Sequence, residues 1–167
     1  KLKRYDDVLH RYIYAENPEV LAMLNTRYTI AGGAVEQNYT FGAAWFVNSA
    51  EVKATPAEAL EALGMVDLAN TAVVETDVKA LKPWYDNSGY IELVEYAPNY
   101  LKYEYCVDDT ALCVFSEIYY PEGWSAYIDG KEVEYFAVDY ILRGMELPAG
   151  EHTVEWRFRA PNWTMAN

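Results

Sequence analysis

The 167-residue chain carries 26 acidic and 13 basic residues, a formal net charge of −13. Such a field repels phosphate backbones and anionic headgroups, which excludes nucleic acid as a partner and electrostatic docking onto anionic lipid. An apolar content of 52% excludes disorder, and no apolar run approaches the ~18 residues of a membrane-spanning helix.

The first thirty residues read as helical. Tyr5, Val8, Leu9, Tyr12 and Ile13 follow the i, i+3, i+4, i+7 spacing of an amphipathic helix. Asn17-Pro18 announces a second, short helix, with Asn as N-cap and Pro at its first position, and Val20, Leu21 and Leu24 as its stripe. Arg27–Ile30 then reads as a strand stopped by Gly32-Gly33, and AAWFV (43–47) as a short buried strand. Thr55-Pro56-Ala57-Glu58 starts a third helix, with Glu58 at the capping-box position. Gly64 is expected to end that helix as a left-handed residue. Ala72–Glu75 reads as a strand, and the turn formers of PWYDNSG (83–89) place a boundary near residue 86.

From Tyr90 the period changes to two. Tyr90–Tyr96, Tyr100–Val107, Leu112–Tyr120, Trp124–Ile128, Lys131–Phe136, Asp139–Met145 and His152–Phe158 are separated by turn signals, of which Asp129-Gly130 is the clearest hairpin. About seven strands at roughly ten-residue spacing predict an antiparallel β-sandwich, jelly-roll or immunoglobulin-like. The expected class is therefore mainly β, or α+β. It divides into an N-terminal mixed helix/strand subdomain over 1–86, the sandwich over 87–160 and a tail over 161–167.

Cys106 and Cys113 flank Asp108-Asp109-Thr110. If these strands form a hairpin, the two cysteines oppose one another on one face and can close a disulfide. Two free thiols is the competing reading.

Catalytic templates are missing: there is no phosphate loop, dinucleotide fingerprint, HExxH or GxSxG. No catalytic residue, metal ligand set or cofactor is assigned. His10 and His152 are the only histidines, and His152 lies on the apolar side of the last strand. Asp129, Asp139 and Glu117 are a carboxylate set to check for glycoside hydrolysis. Asp86-Asn87-Ser88 is a polar loop to check for calcium. The richest constellation is aromatic, in a chain with 16 Tyr and 5 Trp. Tyr119, Tyr120 and Trp124 flank one turn, and Tyr135, Phe136, Asp139 and Tyr140 precede Arg143. Rings that stack on apolar sugar faces, with Arg and Asp to bond hydroxyls, are what a carbohydrate site needs. Tyr119, Tyr120, Trp124, Asp139, Tyr140 and Arg143 are the ligand-binding candidates. The competing reading has Trp124 and Tyr120 plug the end of the sandwich while Arg143 pairs with Asp139.

The segments LKRYDDVLHRYI, VLAMLNTRYTI, AAWFV, YAPNYLKYEY, LCVFSEIYYPEGWSAYIDGKEV and DYILRGMELPAGEHTVEWRF, in this order, resemble the extracytoplasmic region of the bacterial YfhO family. Those are large polytopic membrane proteins, similar to the GT-C glycosyltransferases that use lipid-linked sugars. The resemblance is strongest from Phe115 to Phe158. Glu122 departs from it by lengthening a Tyr-Pro-Gly-Trp turn, and the cysteine pair does not look like a family feature.

The resemblance implies a soluble accessory domain on the extracytoplasmic face, with the transmembrane part of its own chain as partner and glycan or lipid-linked sugar as ligand. It also accounts for a chain that starts at Lys1 without Met and stops at Asn167 short of a membrane segment. Catalysis in that family is expected from membrane loops absent here. A structural cap on the membrane bundle, a protein-docking domain and a secreted carbohydrate-binding module are the alternatives.

Overall fold

The computed structural model describes residues 2–161; the tail expected beyond 161 lies outside the described residues. In chain order the elements are α1 (Leu2–Val8), continued by a π-helical turn over Leu9–Ile13, α2 (Pro18–Met23), β1 (Tyr28–Ala31), β2 (Ala34–Gln37), β3 (Ala44–Val47) and β4 (Ser49–Lys53). There follow α3 (Pro56–Ala62), β5 (Thr71–Glu75), β6 (Tyr90–Ala97), β7 (Tyr100–Val107), β8 (Ala111–Ile118) and β9 (Trp124–Ile128). The last strands are β10 (Lys131–Val133), β11 (Phe136–Val138), β12 (Leu142–Leu147) and β13 (Gly150–Phe158).

Two antiparallel sheets make the sandwich: β10-β9-β13-β7-β6 and β11-β12-β8-β3. Alternation decides which side chains fill it. On β7, Leu101, Tyr103, Tyr105 and Val107 point inward, opposite Val154 and Trp156 of β13. They meet Phe46, Cys113, Phe115, Met145 and Leu147 from the second sheet. Edge-to-face ring pairs run across this core, Tyr103–Phe115 at 5.0 Å and Phe115–Trp156 at 5.1 Å.

The second sheet is covered on its other face too. Trp45, Val47, Leu112, Val114 and Leu142 point away from the sandwich and pack with Val8, Val20, Met23, Leu63, Leu68 and Val73. Burial on both faces explains why β8 opens with an unbroken apolar run, ALCVF (111–115), instead of alternating. Each fully buried Leu, Val or Phe there contributes about 1.5–3 kcal/mol. Two of the buried polar handles in this layer are paired: Trp45 Nε1 donates to Leu68 O at 3.1 Å, and Tyr12 OH donates to Leu60 O at 2.6 Å. This third layer also holds β4 and β5, a parallel pair joined through α3.

Several sequence expectations change. The strand expected over 131–136 breaks into β10 and β11 because the chain crosses there from one sheet to the other. β3, from the N-terminal half, pairs with β8 and so joins the sandwich. Thr55 and Glu58 cap α3 as expected, with Thr55 Oγ1 accepting from Glu58 N at 3.2 Å. Gly64 is not left-handed; it is small because a Cβ there would sit 2.9 Å from the Tyr12 ring.

The Cys106–Cys113 hairpin does not form. β7 pairs with β6 and β13, while β8 pairs with β12 and β3, so the segment between the cysteines steps across the sandwich. Cys106 is exposed and Cys113 is buried in the core, both as free thiols.

Candidate functional site

Position 4 of the chain begins the most chemically varied groove. α1 lies beside the end of β5 and the β11–β12 turn, and Arg4 ties the three together. Its Nη1 and Nη2 donate to both carboxylate oxygens of Glu75, at 2.7 and 2.8 Å, and Nη1 also donates to Tyr140 O at 3.1 Å. The guanidinium stacks over the Tyr140 ring at 4.5 Å. The Glu75 hydrogen bonds raise the Arg4 pKa, with burial opposing them. This two-pronged pairing is the geometry in which Arg–carboxylate bonds are strongest.

Tyr140 forms the floor of the groove. Burial, reinforced by its hydrogen bond to Asp7 at 2.8 Å, pushes its hydroxyl up to about 12. That bond in turn holds the Asp7 carboxyl below its ordinary value. Lys3, Asp77, Tyr119 and Pro121 complete the walls of a space of about 410 Å³. Tyr119 is held by its own N–H, which donates to Ile141 O at 2.7 Å, and by an edge contact to Tyr135 at 5.7 Å.

Replacing Arg4 with Ala should cost about 1.5–3 kcal/mol, the range for hydrogen bonds to a charged group. Thermal denaturation of the variant checks this. An unchanged melting temperature would mean that α1 is held by its apolar stripe alone.

The six candidate residues thus part company. Tyr119 and Tyr140 line the groove. Tyr120 stacks on Phe158 at 6.3 Å, one turn away. Gly123 lets that turn close, since a Cβ there would lie 2.3 Å from the Phe158 ring. Trp124 is half-buried and covers the Arg143 guanidinium at 4.5 Å, with Trp156 4.8 Å from it. Arg143 and Asp139 are 1% and 0% exposed and are not paired with each other. Arg143 Nε donates to Ile118 O at 2.9 Å, and the charge nearest in effect is Glu117. Asp139 Oδ1 instead accepts from Val73 N at 2.8 Å.

The remaining polar candidates are engaged locally. Asp129 accepts from Thr153 N and meets His152 Nδ1 at 2.5 Å, while His152 Nε2 lies 2.9 Å from Ala149 O. Both partners of that ring are acceptors, which favours the protonated imidazole. His152 is correspondingly raised in pKa, first by the Asp129 bond. His10 is exposed beside Asp6. Asp129, Asp139 and Glu117 face different neighbours and form no shared site. Asp86 turns both its oxygens onto Ser88. Among the described residues no group of three His, Cys, Asp or Glu side chains is placed to hold a metal.

Arg4, Lys3, Glu75 and Asp77 were absent from the candidate residues read from sequence. Arg4 and Glu75 stand 71 positions apart, and no local pattern links them.

A family model described as bacterial membrane protein YfhO matches residues 10–166. The chain belongs to the YfhO family. No curated protein and no solved structure matches it. The match takes in α2, both sandwich sheets and most of the groove, while Lys3 and Arg4 lie just before it. Among the described residues no helix is long and apolar enough to cross a membrane. This YfhO segment is therefore a β-rich part of a membrane-protein family.

Proposed function

We propose that this YfhO domain is a non-catalytic, extracytoplasmic accessory domain of a glycosyltransferase-like membrane protein. It holds an acceptor glycan or a lipid-linked sugar in the groove between α1 and the β8–β9 turn. The observation that carries the reading is the convergence of Tyr119, Tyr140, Lys3, Glu75 and Asp77 around one open space. The half-buried Tyr119 ring suits the apolar face of a sugar, and ammonium and carboxylate groups suit its hydroxyls.

Glycan microarrays followed by titration calorimetry test it. Asp77 is exposed at the groove wall. Asp77→Asn should weaken sugar binding roughly tenfold, the loss of about one hydrogen bond to a charged group, with the fold intact. No binding by the unsubstituted chain on array or in the calorimeter would sink the recognition role.

A structural cap is the second reading, and one observation favours it: Trp124, Asp139 and Arg143 are bound up in packing. It expects Trp124→Ala to lower stability while leaving any sugar affinity unaltered.

A further inference from the structure

On the far side of α2 the chain leaves the body as a hairpin that no sheet receives. Among the described residues β1 and β2 pair only with each other. Two strands alone are marginally stable in water, and this pair is clamped at its foot: Asn38 N donates to Arg27 O, and Asn38 Nδ2 donates to Thr26 O and Thr29 Oγ1. The register sets Ile30 opposite Val35, so Tyr28, Ile30 and Val35 share one face. All three are largely exposed, at 60%, 76% and 67%, and Tyr39 at the foot is 79% exposed.

The charge pattern is the second observation. From Tyr28 to Val35 the sequence is YTIAGGAV, without a single charge, in a chain of net −13. Gly32-Gly33 turns the tip with both residues in the left-handed region. A small, uncharged apolar tip with tyrosines toward its base has the composition of a segment that enters a membrane interface. Four residues per strand extend roughly 13 Å, enough to reach the ~5–10 Å depth of the headgroup–acyl boundary. The hairpin lies within residues 10–166, the part that matches a membrane-protein family.

We propose that the β1–β2 hairpin dips into the surface of the bilayer, and that the surface it takes is zwitterionic lipid. The acidic body disfavours an anionic surface, so insertion draws on apolar burial by Tyr28, Ile30 and Val35. This contact orients the domain over the membrane and is separate from the groove.

The test tethers the 167-residue chain through a terminal histidine tag to phosphatidylcholine vesicles doped with a nickel-chelating lipid. An environment-sensitive dye is placed at Ala34→Cys in a Cys106→Ser background, since Cys113 is enclosed in the core. The expected result is a blue shift with emission roughly doubled on vesicle binding, as for a dye leaving water for the interface. The response should vanish in Ile30→Asp/Val35→Asp, whose circular dichroism reports an unchanged fold, and a dye at Lys131→Cys should not respond. No change at Ala34→Cys on tethering overturns the proposal, as does a response that survives the double aspartate. A response that grows with protein concentration without vesicles also overturns it and assigns the face to a second copy of the chain.

Discussion

Replacing Asp139 by Asn should leave stability nearly unchanged near pH 3 and increase it progressively as the pH rises to neutrality. Asp139 is 0% exposed, and burial pushes its carboxyl up to about 7 against the hydrogen bond from Val73 N, which pulls the other way. A carboxyl with a raised folded pKa makes the fold bind more protons than the unfolded chain. Stability is then fully present below the unfolded pKa and is lost as the pH climbs to the folded one. The loss sets in near pH 4 and levels off above about pH 7. It reaches roughly 4 kcal/mol, a large share of the ~5–15 kcal/mol that holds a domain together.

Asn keeps the acceptor that Val73 N–H needs, and it tolerates the left-handed backbone at this turn, where Asp139 has φ +49° and Tyr140 +70°. It cannot ionise, so the cost disappears. Asp139→Ala also cannot ionise, so its pH profile should run parallel to that of Asn but about 1–3 kcal/mol lower at every pH, because it leaves that N–H unpaired. Chemical denaturation of the three proteins at pH 3, 5 and 8 separates these outcomes. Parallel pH profiles for Asp and Asn would show that the carboxyl does not titrate between 4 and 8.

How much of this was legible in the sequence depends on the range of the interaction. Asp129-Gly130 announced its hairpin because the turn's chemistry is local: both residues take positive φ, +50° and +83°. The inward rows of β7 and β13 followed from period two, and the start of α3 from Thr55. What the pattern does not encode is which sheet each strand joins. Val107 and Leu112 alternate equally well in a hairpin and in a step between sheets, and here the step wins. Leu112–Tyr120 reads as one more period-two strand, and its burial on both faces comes only with the structure. The cover is non-local: α1, α2 and β5 come from the other half of the chain. The groove was half legible for the same reason. Tyr119 and Tyr140 sit in a conspicuous aromatic stretch, whereas Arg4 and Glu75 acquire a role only once α1 is folded back against β5.

Arg143 shows what aromatic crowding does when it faces inward, and truncating it should be among the most damaging single changes in the sandwich. Its guanidinium is 1% exposed between Trp124 and Trp156, and burial pulls its pKa down while Glu117 supports the charge. Glu117 in turn has its pKa raised by burial and lowered by Arg143. Arg143→Ala removes the stem from a packed space, the bond to Ile118 O and the cation between two indoles. Together these should cost about 3–5 kcal/mol. Arg143→Met fills most of the volume with no charge, and should recover a good part of that loss. The Met variant must also move Glu117: without the neighbouring cation its carboxyl rises further, so the stability lost as the pH rises is larger and continues to a higher pH than in the parent. Adding Glu117→Gln to Arg143→Met should abolish that shift, so the two substitutions should be non-additive. Urea midpoints across pH 4 to 8 measure all four proteins. A loss below about 1 kcal/mol for Arg143→Ala would show that the two indoles close over the gap, leaving the cation without a structural role.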